Sequence, residues 1–205
     1  MVHKMNEPMS RRRFLRVAGT GVLTLGLTSP FFLGCGPKDV EKVITGLTKL
    51  ATLINNYRNQ KGLAAIPISP AMTTVALKHV IDLNTYHPDK ACAGNSNNPH
   101  DWKTHSWSKH GKWKGGCYDR NNSSTWPIMW NKPKEIAKYP EYGYEIAHWW
   151  GYNATAQDAL DSWKKSPPHK DVILNKGIWQ SYTWKALGAA VSGNYACAWF
   201  GVAVG

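Results

Sequence analysis

Apolar positions Val43, Leu47, Leu50, Ile54 and Tyr57 recur at alternating steps of four and three residues. That spacing predicts an amphipathic helix starting near Asp39 and burying one stripe. Gly62 stands where such a helix takes its left-handed stop. Ser69-Pro70 then offers an N-cap and a first-position proline, predicting a helix over 70 to about 85. Its inward side chains are Met72, Ala76, Val80 and Leu83, and His87-Pro88 ends it. Regularity returns at Thr155, a cap with Asp158 three residues on. The helix it opens, 156 to about 165, turns Ala159, Leu160 and Trp163 inward. Pro167-Pro168 reads as its stop, with a short helical turn over 171–175. The chain closes on a hairpin, 184–191 and 195–204, around Ser192-Gly193-Asn194.

Residues 90–142 lack a sustained period and are rich in Asn, Gly, Lys, Pro and Trp, which predicts long loops with short strands. Seven of the eleven tryptophans lie between Trp102 and Trp150. So much aromatic surface requires the loops to be packed rather than disordered. Alanines and glycines in the hairpin predict a sheet closely covered by helices. Helices at both ends of strands, without a βαβ rhythm, give an α+β sandwich.

The N-terminal residues are of another kind. Ser10-Arg11-Arg12-Arg13-Phe14-Leu15-Arg16 resembles the twin-arginine export motif. The uncharged, glycine-containing stretch after it suits a secretory leader better than a permanent span. Phe32-Leu33-Gly34-Cys35 resembles a lipobox with Cys35 as the acylated residue; the alternative is a plain cleaved signal. The expected location is therefore outside the cytoplasm, by the twin-arginine route, membrane-anchored through lipid at Cys35 and facing the periplasm or cell exterior.

Charge and cysteines refine this picture. The chain has a formal net charge of +12, which favours acidic surfaces such as anionic lipid or polysaccharide. The bases are scattered and no recognition motif accompanies them, so nucleic acid is not an expected partner. In an oxidising compartment Cys92 and Cys117 are expected to pair and staple the polar, aromatic loop between them. Cys197, in an alternating apolar run, is expected to be a small buried thiol.

Several motifs, in order, resemble one family. Asn55-x-x-Arg58-x-x-x-Gly62-Leu63-x-x-Ile66 is similar to the first-helix pattern of the CAP superfamily, the cysteine-rich secretory, antigen 5 and pathogenesis-related-1 proteins. His105-Ser106 resembles its first histidine motif, and Gly143-Tyr144-Glu145-Ile146-Ala147 its glutamate-bearing strand. Ala159-Leu160-x-x-Trp163-x-x-Ser166-Pro167-x-His169-x-x-x-Ile173-Leu174 resembles its second histidine segment. Leu187-Gly188-Ala189-Ala190 and Trp199-Phe200-Gly201 match its closing strands. The resemblance covers about 45–202 and implies a three-layer α-β-α sandwich. The expected organisation is a signal peptide over 1–34, a linker over 35–44 and a CAP (SCP-like) domain over 45–205.

The resemblance also implies a cleft with two histidines and acidic residues that holds metal in several members. His105 and His169 take the histidine places and Glu145 one acidic place, as ligands for zinc or another divalent cation. A second acid has no match; Ser166 or a neighbouring lysine stands there. Glu145 directly precedes Ile146, one residue nearer than in the family. On a strand that offset turns a side chain to the opposite face, so Glu145 serves only with a bulge or a shifted alignment. Trp107 and Trp149 are candidate platforms for a sugar or other flat ligand. His79, His87, His100, His110 and His148 read as surface or loop residues. Lys164-Lys165 and the Lys112/Lys114 pair read as solvated.

Three functions fit these readings. The favoured one is a non-catalytic binding module taking a cation in the cleft and an envelope lipid, glycan or protein on nearby loops. The second is a metal-assisted hydrolase with His105 and His169 on the metal and Glu145 as general base. The third is a structural envelope protein with a degenerate cleft.

Overall fold

The computed structural model describes residues 37–205, with side chains from residue 49 onward. The export motif, the lipobox and Cys35 lie outside the described residues, as do the side chains of Val43 and Leu47. The sheet and every described side chain belong to one compact unit, Val43–Gly205.

Helix α1, Pro37–Gln60, buries Leu50, Ile54 and Tyr57, as the stripe requires. Gly62 takes the left-handed conformation at φ +76°. Helix α2, Pro70–Tyr86, is capped by Ser69, whose hydroxyl accepts from Met72 N–H, and His87 closes it at φ 47°. Short helical pieces follow within the loop-rich stretch, among them α3 (Pro88–Ala91), α4 (Pro127–Trp130) and α5 (Lys132–Ala137). Cys92 and Cys117 are joined by a disulfide, and Cys197 is a buried free thiol.

Strand β1 spans Gly143–Trp149. Helix α6, Ala156–Lys165, opens on a Thr155–Asp158 capping box. Helix α6 ends at Lys165 ahead of Pro167-Pro168, as expected, but the proline pair does more than stop it. The pair begins helix α7, Pro167–Leu174, with Ser166 as N-cap. Prolines at the first helical positions lack only N–H groups that the first turn leaves unpaired anyway. The hairpin is β2 (Ala186–Ser192) and β3 (Tyr195–Gly201). Among the described residues the sheet has three antiparallel strands in the order β1-β3-β2.

Side-chain parity divides the core into two layers. On one face Tyr144, Ile146, Leu187, Ala189, Ala196, Ala198 and Phe200 meet α1, α6 and α7. On the other Ala147, Ala186, Ala190, Tyr195, Cys197 and Trp199 meet α2 and Trp107. This is the α-β-α sandwich. Gly188 makes the second face possible: a Cβ there would lie 2.1 Å from backbone atoms of Met72 and Thr73.

Candidate metal-binding cleft

Glu145 lies on the α2 face of β1. It pairs with Trp199 in a register that runs unbroken from Gly143↔Gly201 to Trp149↔Tyr195. No bulge is needed to bring it to His105: His105 Nδ1 is 2.8 Å from Glu145 Oε2. The other carboxylate oxygen, Oε1, is 2.5 Å from Nδ1 of His79. Glu145 and His79 have fully buried side chains, whereas that of His105 is 22% exposed.

Helix α2 positions this arrangement. His79 reaches Glu145 from α2, and its Nε2 lies 3.0 Å from the Ser106 carbonyl oxygen. Asp82, one turn on, accepts from both the backbone N–H and the hydroxyl of Ser108. Trp107 and Gly116 exchange backbone hydrogen bonds of 3.0 and 2.9 Å, and Tyr118 N–H donates to Ser106 Oγ. The segment carrying His105 is therefore anchored to α2 and to the far arm of its own loop, inside the disulfide.

Burial alone would raise the Glu145 pKa, but the charge of His79 and hydrogen bonds from both imidazoles hold it below the ordinary carboxylate value. Burial alone would strip His79 of a proton. The Glu145 charge and hydrogen bond, the Ser106 carbonyl and the Asp82 charge instead keep its pKa raised.

His169 stands in the first turn of α7, its Nδ1 2.9 Å from Ser166 Oγ. Burial, then the charges of His105, His148 and Arg120, bring its pKa down to about 4. His169 is thus neutral at neutral pH and close enough to His105 for their charges to interact. Both oxygens of Glu145 go to His79 and His105, and neither to His169.

Two other site expectations change. Trp107 is 1% exposed and stacks on His79 at 4.0 Å with 7° between planes; its face is covered and offers no platform to a ligand. Trp149 is half-buried, edge-on to Trp102. His79 and His148 are buried rather than on the surface, while His87, His100 and His110 are exposed. His79 lies three residues after Ala76 on the stripe of Met72, Ala76, Val80 and Leu83, a periodicity that marks it as core.

Among the described residues one group brings metal-ligating side chains together. His79, Glu145 and Cys197 bring ligand atoms within 4.8 Å of one another. There, however, both His79 nitrogens are engaged, and burial followed by the Glu145 charge holds the Cys197 thiol pKa well up, so that it donates to the Ala76 carbonyl. As arranged, this trio is a hydrogen-bonded core. His105 and His169 are each held through Nδ1, one by a carboxylate and one by a hydroxyl.

The profile of the cysteine-rich secretory protein family, CAP, matches residues 51–198. The chain belongs to the CAP family. Among solved structures, an extracellular protein containing a SCP domain from Bacillus anthracis str. Ames is 16% identical, with TM-score 0.50 over 82% of this chain and 44% of that one. A cysteine-rich secretory protein from Staphylococcus aureus subsp. aureus Mu50 is 17% identical, with TM-score 0.43 over 78% and 40%. An outer surface protein from Borrelia burgdorferi is 17% identical, with TM-score 0.45 over 74% and 88%. This CAP chain spans less than half the length of the first two. No curated protein sequence matches it. Among the described residues no helix is long and apolar enough to cross a membrane.

Proposed function

We propose that this CAP protein is an exported, lipid-anchored binding module whose cleft takes a divalent cation on His105 and His169. The observation that carries the reading is the His105–Glu145 bond. A carboxylate accepts, so Nδ1 of His105 donates, and in the neutral ring Nε2 keeps a lone pair on the partly exposed side. His169 supplies the second imidazole when its Nδ1–H donates to Ser166. Glu145 then acts as the orienting acceptor rather than as a ligand. With both oxygens held by imidazole N–H groups it is also poorly placed to be a general base, which weighs against the hydrolase reading. A bound cation would supply positive charge with open positions for water or an oxygen-bearing group of an envelope glycan, lipid or protein.

The leader supports export and lipidation at Cys35, and the Cys92–Cys117 bond suits an oxidising compartment. Titration calorimetry with zinc is expected to give micromolar-range binding that His105→Ala and His169→Ala each abolish; no heat with the wild type would remove the cation. Detergent-phase partitioning lost on Cys35→Ser is the expected sign of the anchor, and an aqueous wild type would refute it.

A further inference from the structure

The cleft leaves one buried group without a part. His79 lies between two acceptors: the Ser106 carbonyl oxygen 3.0 Å from Nε2 and Glu145 Oε1 2.5 Å from Nδ1. A carbonyl oxygen only accepts, so Nε2 carries a hydrogen. Ionised Glu145 has no hydrogen to give on either oxygen, so Nδ1 of His79 donates too. The ring is held flat on Trp107 and edge-on to Trp199 at 6.2 Å.

We propose that His79 is a positioning residue for the cleft, acting through Glu145. Donating to Oε1 and to the Ser106 carbonyl together, it fixes the carboxylate so that Oε2 meets His105 Nδ1 and the His105 Nε2 lone pair is presented outward. A chain of contacts runs from Ser106 through His79 and Glu145 to His105, one residue before the point where it began. Helix α2 is thereby tied to the cleft histidine by two routes, through the Ser106 backbone and through the carboxylate. The consequence for cation affinity rests on the function proposed above; the hydrogen-bond assignment does not.

Two-bond proton–nitrogen NMR on the intact, zinc-free chain, labelled on histidine nitrogens, tests the assignment directly. Hydrogens are expected on both nitrogens of His79 and, for His105, on Nδ1 with Nε2 bare. A bare nitrogen on His79, or the opposite tautomer at His105, would overturn the proposal. Two variants then separate the contacts. The amide nitrogen of asparagine falls near Nδ1 of the histidine it replaces, and that of glutamine near Nε2. His79→Asn keeps the donor to Glu145 and should bind zinc close to wild type. His79→Gln keeps only the donor to Ser106 and should lose roughly tenfold or more. The reverse order would mean that His79 merely pins the loop, and would reject the role through Glu145. Should either variant fail to fold, the wild-type spectrum decides alone. A wild type with the expected spectrum but no zinc binding would remove the cation and leave the positioning contacts standing.

Discussion

His169 is the residue whose environment most clearly sets a dependence on pH. Its pKa is depressed in the folded chain to about 4 from 6.5, so on acidification the unfolded chain takes up the proton first. Stability is therefore expected to fall as pH drops through the window from 6.5 to about 4, by on the order of 3 kcal/mol in all. His148, with a pKa lowered by burial, acts in the same direction. Glu145, also lowered, adds its loss at more acidic pH, below the ordinary carboxylate value. His79, raised, contributes stability that is lost as pH rises through its folded pKa. Urea midpoints measured in chelator across this range should show His169→Gln with a flatter acid limb than wild type; an unchanged slope would rule out His169 as its source.

At the scale of elements, α2 against the sheet is the tightest fit. Gly188 on β2 faces the α2 backbone directly. Gly188→Ala has to push a helix away rather than rotate a side chain, so a loss near the upper end of about 1–3 kcal/mol is expected in urea unfolding. A variant as stable as wild type would show that the helix yields freely. The elements were legible in proportion to how far local chemistry decides them. The stripes of α1 and α2, the Ser69 and Thr155 caps and the hairpin follow from side-chain period and capping groups. Helix α7 was not, because two prolines punctuate equally well after one helix or at the head of the next, and only tertiary packing chooses. Of the candidate site, His105 and His169 were named by motif order alone. Glu145 was visible but its facing was not, since register is set by β3, a partner strand far along the chain. His79 carried a periodic signal, but histidine on a helix is ordinarily read as exposed.

For the molecule as a whole, one covalent bond governs the loop that bears His105. Closing the 25-residue separation between Cys92 and Cys117 is worth about 3 kcal/mol in the chain-entropy model. Reduction should lower the melting temperature and weaken the proposed zinc binding more than it changes far-ultraviolet circular dichroism, because helices and sheet lie largely outside the loop. Equal zinc affinity in both redox states would show that the anchors at Asp82 and His79 suffice. A second long-range tie lies on the opposite face of the sheet. Arg58, at the end of α1, is 6% exposed; Nη1 donates to the Ile173 carbonyl and Asn175 Oδ1 at 2.5 and 2.7 Å, and Nε to the Ala64 carbonyl at 3.0 Å. It thus grips the tail of α7, the helix whose head bears His169. A random-mutagenesis screen for clones that fold yet lack the proposed zinc binding should accordingly recover changes at Arg58 beside those at the imidazoles, although that guanidinium is spent on the Ala64, Ile173 and Asn175 oxygens.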